Sequence, residues 1–117
     1  NENIIINHIT VPMPRDERKH NRFIRKDKRH IELFENLYKK SDETLRYIGE
    51  WHTHPEAIPN FSCIDLKNWK KISKDSKGDV KFYHIIVGYE AIRMWEINNT
   101  LQVRLINTVF WKDVGGN

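Results

Sequence analysis

Three side chains with metal-binding chemistry lie close together in the middle of the sequence. His52 and His54 are one residue apart, and Asp65 follows after a loop that contains Pro55 and Pro59. Zinc takes about four nitrogen, sulfur or oxygen donors, and a catalytic zinc site takes about three of them from the protein. Residues two apart in a strand project to the same side, so the two histidines can converge on one ion. The spacing therefore predicts a metal site in which the loop brings Asp65 back to the two histidines.

The same residues also have an interpretation without a metal. Ser62 and Asp65 form the pattern of a helix capping box, which needs no ion. A pair of histidines two residues apart is by itself a weak signal, because histidines are common at hydrogen-bonded surface positions. Each piece alone favours the simpler interpretation, whereas all three donors together favour the metal site.

The elements that must position these residues are a mixture of α and β. Residues 3–11 are β-branched and apolar, which predicts a strand, and a proline-containing loop follows. Apolar residues at steps of three and four predict a helix over residues 28–40. Residues 45–51 predict a strand that leads into His52.

Beyond the histidines, the sequence predicts one helix and three strands. The helix opens at Ser62 and Asp65, and Gly78 closes that region. The strands are predicted in the segments 80–88, 91–98 and 101–111, with a hairpin at Asn98–Asn99 joining the last two.

Length and composition exclude several classes of protein. The 117 residues suit one compact domain with a modest core. No stretch approaches the roughly 18 apolar residues of a membrane span, so no membrane association is expected. The one cysteine, Cys63, cannot form an internal disulfide, and the first residues do not have the pattern of a secretory signal, so a cytoplasmic location is expected.

The positive charge is concentrated in residues 15–29. The chain carries a net charge of +4, and this segment holds eight basic residues against three acidic ones. A solvated segment is the favoured interpretation over nucleic-acid binding, because only Phe23 offers an aromatic ring there. An acidic protein partner is the third interpretation.

The motif resembles the JAMM metal-binding motif of the JAB/MPN metallopeptidase family. The matching residues are H-T-H-P at 52–55, the seven residues from Pro55 to Phe61, and S-C-I-D at 62–65. "GEWHTHP" at 49–55 and Trp69 make the chain most similar to the prokaryotic JAB-domain branch, and the order of elements fits from residue 3 to about 111. The resemblance implies an α/β fold with a curved β-sheet flanked by helices.

The resemblance also implies a site and an activity. His52, His54 and Asp65 would bind Zn²⁺, and Ser62 would act catalytically by stabilising the oxyanion. Family members hydrolyse peptide or isopeptide bonds after the C-terminal glycine of ubiquitin-like proteins. Relatives in antiphage CBASS systems release a cGAS-like nucleotidyltransferase from its conjugates, so a ubiquitin-like protein or such a conjugate is the expected partner.

The general base of the family is not identified in this sequence. The resemblance implies a glutamate ahead of a glycine-rich stretch, and neither Glu2 nor Glu50 has that context. Residues 1–117 are therefore expected to form a JAB/MPN domain without its first element and to need an upstream glutamate for full activity. The alternatives are a non-catalytic MPN-like scaffold and a nucleic-acid-associated JAB protein, and the three intact ligand positions favour the enzyme.

Overall fold

The computed structural model describes residues 6, 8, 9, 17–19, 22–24, 28–41, 46–76 and 80–114. The chain divides into two compact units, Asn1–Tyr47 and Ile48–Asn117. The strand predicted over residues 3–11 and the residue Glu2 fall almost wholly outside the described residues. No helix in the described ranges has the length and apolar character needed to cross a bilayer.

The first unit contains a short hairpin within the basic segment. β1 (Glu17–Lys19) and β2 (Arg22–Ile24) pair antiparallel, with Arg18 opposite Phe23. The sequence predicted a loop here, and that prediction was wrong for these six residues. Charged residues carry little intrinsic strand preference, so the pairing left no periodic signal to find.

The helix of the first unit confirms the prediction from apolar spacing. α1 (Arg29–Lys40) begins within one residue of the predicted start. Phe34 stacks on Tyr38 with ring centroids 6.0 Å apart and meets the edge of Tyr47 at 6.4 Å. The three- and four-residue spacing thus places the aromatic rings on one side of the helix.

The second unit is built on a four-stranded mixed sheet, in the order β3-β4-β5-β6. β3 pairs parallel with β4, and the other neighbours pair antiparallel. The strand predicted over residues 45–51 begins late, although the Ile48 carbonyl already accepts a hydrogen bond from Tyr83 N–H at 2.6 Å. The strands are β3 (Trp51–Thr53), β4 (Phe82–Val87), β5 (Ala91–Ile97) and β6 (Val103–Phe110).

One helix, α2 (Cys63–Asp75), covers one face of this sheet. A parallel pair of strands needs a crossover of about a dozen residues or more, and α2 supplies it between β3 and β4. Trp69 on α2 is buried, stacks on His84 at 4.6 Å and lies 5.6 Å from Trp95. The core therefore fixes α2, and with it the start of α2, against the sheet.

Backbone hydrogen bonds hold the loop between β3 and α2 against the β4–β5 turn. The N–H groups of Tyr89 and Glu90 donate to the carbonyls of Glu56 and Ala57, each at 2.8 Å. Loop carbonyls away from water need such partners, and here a neighbouring turn provides them. The course of the loop is therefore set by the sheet.

Gly88 and Pro59 close the contact between this loop and the turn. Pro59 is fully buried, and its carbonyl accepts a hydrogen bond from Arg93 at 3.5 Å. A Cβ at position 88 would lie 2.6 Å from both the Glu56 carbonyl oxygen and the Pro59 ring. Only glycine lets the turn approach the loop this closely.

The predicted β5–β6 hairpin is present, with a turn longer than Asn98–Asn99. Asn98 N–H donates to the Gln102 carbonyl at 3.3 Å. The Asn98 Oδ1 atom accepts backbone hydrogen bonds from Thr100 at 3.0 Å and Gln102 at 3.1 Å. The asparagine side chain thus replaces part of the backbone pairing that a two-residue turn would have made.

Candidate metal centre

The strand geometry brings the two histidines of the motif together. His52 lies opposite Ile86 in the β3–β4 register, on the sheet face that α2 covers. His54 N–H donates to the Val87 carbonyl at 3.0 Å, so strand-like pairing continues one residue beyond β3. Thr53 between them is exposed. The Nε2 atoms of His52 and His54 lie 3.1 Å apart.

The first turn of α2 brings Asp65 to the same point. Its Oδ1 lies 3.1 Å from His52 Nε2, and its Oδ2 lies 3.1 Å from His54 Nε2. Within the described residues, these three side chains form the one group of three or more potential metal ligands. The structure thus places together the three residues that the sequence singled out.

Asp65 also completes a capping box with Ser62. Ser62 N–H donates to Asp65 Oδ2 at 2.8 Å, and Asp65 N–H donates to Ser62 Oγ at 3.1 Å. The two interpretations of the sequence are therefore compatible, because the cap fixes the carboxylate that faces the histidines. The cap is a positioning device for the candidate ligand.

The distances among the donors suit one metal ion. Zinc binds imidazole nitrogen at about 2.0 Å, so tetrahedral ligand atoms lie about 3.3 Å apart. The two Nε2 atoms, 3.1 Å apart, agree with that value to within a few tenths of an ångström, and each lies 3.1 Å from one of the two Asp65 carboxylate oxygens. Two imidazoles and one carboxylate match the donor set of a catalytic zinc site, which takes three ligands from the protein.

Asp65 contributes a negative charge to the cluster. Desolvation raises the pKa of Asp65, but hydrogen bonds from His52 and the Ser62 backbone outweigh it and lower that pKa to about 2. Asp65 is therefore a carboxylate near neutral pH. Two imidazoles that both face this carboxylate and each other need protons or a metal ion between them.

Glu56 is a member of the site that the sequence interpretation missed. Its Oε1 atom lies 3.0 Å from His54 Nδ1 and accepts a hydrogen bond from Asn60 N–H at 3.2 Å. The pKa of Glu56 is lowered, chiefly by the Asn60 hydrogen bond and then by the one from His54. A glutamate after a proline carries no periodic signal, so only the motif's position two residues beyond His54 could have pointed to it.

Ser62 keeps a hydrogen-bond donor beside the cluster. The cap uses a lone pair of Ser62 Oγ, which accepts from Asp65 N–H, and does not use the hydroxyl proton. Ser62 is exposed, so its O–H can donate to a substrate atom brought near Asp65.

Glu50, which precedes the motif, is not part of the cluster. Among the described residues, Glu50 is not one of the close potential ligands, and its N–H donates to buried His84 Nδ1 at 3.3 Å. That bond ties the strand entering His52 to the core. Glu2 lies outside the described residues.

The chain matches a family model described as prokaryotic homologs of the JAB domain, over residues 2–98. It is also similar to proteins named CD-NTase/cGAS isopeptidase. One, from Escherichia coli strain TW11681, is 38% identical over 68 residues, which cover 58% of this chain and 44% of the relative. Another, from Pseudomonas aeruginosa strain BWHPSA011 / Pa011, is 35% identical over 89 residues, which cover 76% of this chain and 56% of the relative.

A third protein of that name, from Vibrio cholerae serotype O1, is 31% identical over 70 residues, covering 60% of this chain and 45% of the relative. The chain thus spans about half the length of the curated relatives it matches. The α/β fold with its mixed sheet agrees with the predicted fold class.

Proposed function

The chain belongs to the family of prokaryotic homologues of the JAB domain, and we propose that it is a zinc metallopeptidase acting as an isopeptidase or deconjugase. The bond cleaved follows the C-terminal glycine of a ubiquitin-like protein. The observation that carries this proposal is the convergence of two imidazoles and one carboxylate, with three separations of 3.1 Å. The names of the relatives support the isopeptidase activity.

Each residue of the site has a defined task in this proposal. His52, His54 and Asp65 would hold the zinc, which would supply a Lewis acid and lower the pKa of a water molecule to near 7. The capping box keeps Asp65 aimed at the histidines. The Ser62 hydroxyl donates to the oxygen of the scissile carbonyl as negative charge develops on it.

The proposed partner is a ubiquitin-like protein or a conjugate of it with a cGAS-like nucleotidyltransferase. The relatives named CD-NTase/cGAS isopeptidase support this choice. A role in antiphage defence and a cytoplasmic location follow from the same proposal.

Metal analysis tests the zinc site directly. We expect one zinc per chain in the purified protein and none after the double change His52→Ala and His54→Ala. The matched control is His8→Ala, because His8 is exposed and outside the cluster. Zinc retained by the double variant contradicts the proposal, and stoichiometric iron in place of zinc would assign the site to a different chemistry.

Cleavage assays test the reaction. We expect residues 1–117 to release a ubiquitin-like protein from an isopeptide-linked nucleotidyltransferase slowly and with chelator-sensitive turnover, because no general base is identified among them. Ser62→Gly should lower kcat by about 10²- to 10³-fold with zinc retained, since a glycine cap costs only tenths of a kcal/mol. Equal turnover by the His52→Ala, His54→Ala protein refutes zinc catalysis. Zinc binding without hydrolysis of any such substrate, also in a longer chain that includes the glutamate implied by the family resemblance, would favour the scaffold alternative.

A further inference from the structure

We propose that Glu56 is a positioning residue that fixes the tautomer and orientation of His54 for metal binding. This inference rests on the proposed function, because it concerns the same zinc site. Glu56 Oε1 lies 3.0 Å from His54 Nδ1. The opposite ring nitrogen of His54, Nε2, is the atom that faces His52 and Asp65.

The contact determines which nitrogen of His54 carries the proton. An ionised carboxylate only accepts hydrogen bonds, so Nδ1 must donate to it. A neutral imidazole then has its lone pair on Nε2, directed at the other two donors. Carboxylates placed behind a metal-binding histidine in this way fix the ring and increase its basicity.

Glu56 is itself held by a set of hydrogen bonds. Asn60 N–H donates to Oε1 at 3.2 Å, so the side chain also closes the loop in which it lies. Its backbone N–H donates to the His54 carbonyl at 2.8 Å, and its own carbonyl accepts from Tyr89 at 2.8 Å. The carboxylate is half exposed, yet its backbone is fixed on both sides.

The role of Glu56 is separable from that of the ligands. The side chain reaches the His54 nitrogen that faces away from the cluster, and Glu56 is not one of the close potential metal ligands of the described residues. Removing it should therefore weaken zinc binding without abolishing it. Glutamine retains an oxygen that accepts from both His54 and Asn60, so it should restore part of the effect.

The test measures zinc affinity by competition with a chromophoric chelator. We expect Glu56→Ala to weaken zinc binding about 10- to 100-fold and Glu56→Gln to weaken it less. Glu90→Ala is the matched control, because Glu90 is exposed in the turn beside the same loop. Thermal unfolding of the zinc-free proteins checks that each variant folds.

A nuclear magnetic resonance experiment separates positioning from a general structural effect. In the zinc-loaded protein, the His54 Nδ1–H proton should exchange slowly in the wild type and in Glu56→Gln, and rapidly in Glu56→Ala. Unchanged zinc affinity and unchanged exchange in a folded Glu56→Ala protein overturn the inference. Failure of the wild-type chain to bind zinc would instead refute the proposed function.

Discussion

Asp65 joins two functions that are usually assigned to different residues. Its Oδ2 atom accepts the capping hydrogen bond from Ser62 N–H, and the same carboxylate faces both histidines. Its side chain is only 12% exposed, so its interactions with the imidazoles are weakly screened. The ionised form is therefore stabilised in the folded state, which makes the stability of the chain depend on pH in acid.

The pH dependence of stability tests this coupling in the zinc-free protein. The pKa of Asp65 is lowered from 3.8 to about 2. Because the folded pKa lies below the unfolded one, the contribution is complete above about pH 4 to 5 and is lost as pH falls through 2. We expect Asp65→Asn to flatten the stability curve in that window, by up to about 2 kcal/mol.

Asp75→Asn is the control for that experiment, because Asp75 lies on the same helix with an exposed side chain paired to Lys71. Urea titrations at intervals between pH 2 and 5 supply the free energies of unfolding. If the free energy of unfolding of Asp65→Asn changes with pH as steeply as that of the wild type, ionised Asp65 does not stabilise the folded state. The asparagine keeps an oxygen for Ser62 N–H, so loss of the cap is a small part of the change.

The positions of the three candidate ligands could be predicted from the sequence, whereas the contact of Glu56 with His54 could not. His52 and His54 alternate with Thr53 in a strand, and Ser62 precedes Asp65 at a capping distance, so local rules place all of them. Glu56 reaches His54 only because the loop folds back on itself through Asn60. Such a contact depends on loop geometry, and a loop has no repeating pattern of apolar residues from which its course could be predicted.

At the scale of elements, the β4–β5 turn holds the loop between β3 and α2 in place, although the turn contributes none of the three candidate ligands. The turn donates two backbone hydrogen bonds to the loop that carries Glu56. The Trp111 indole N–H in turn donates to the Gly88 carbonyl at 2.9 Å. The sequence predicted the strands on both sides of this turn but not its contact with the loop, which joins segments far apart in the chain.

Gly88→Ala tests the support that the turn gives to the site. The new methyl group would meet the Glu56 carbonyl and the Pro59 ring at 2.6 Å, so the loop or the turn must shift. We expect a loss of about 1–3 kcal/mol in the free energy of unfolding, together with weaker zinc binding. Denaturant unfolding and chelator competition measure the two effects.

Tyr89→Ala provides the comparison for Gly88→Ala. Tyr89 follows the glycine, its side chain is 72% exposed, and its backbone N–H is retained in the variant. Its zinc affinity should equal that of the wild type. If Gly88→Ala also binds zinc normally, the turn does not position the loop.

At the scale of the whole molecule, the elements of the second unit were more predictable than those of the first. The apolar segments of β4, β5 and β6 and the capped start of α2 agree with their sequence patterns. In the first unit, the hairpin β1–β2 is formed from residues of the basic segment, and these charged residues show no apolar alternation that would predict a strand. The division of the chain into domains and the use of the basic segment stay predictions.

Zinc should stabilise the second unit, because its candidate ligands come from two separate elements of that unit. His52 belongs to β3 and Asp65 to α2, and a loop of irregular structure joins them. An ion that binds the folded chain but not the unfolded chain stabilises the fold by about 2.7 kcal/mol when its free concentration is a hundred times its Kd. For a chain of this size, we expect the Tm to rise by about 10 °C.

Differential scanning fluorimetry with and without zinc measures this shift, after removal of metal with a chelator. The His52→Ala, His54→Ala protein should show little or no shift, since two of the three donors are gone. Magnesium is a second control, because it prefers oxygen ligands and the cluster offers two nitrogens. A rise in Tm of the same size in the double variant would mean that the stabilising zinc binds elsewhere on the chain. No rise in Tm of the wild type would mean that zinc does not stabilise the fold.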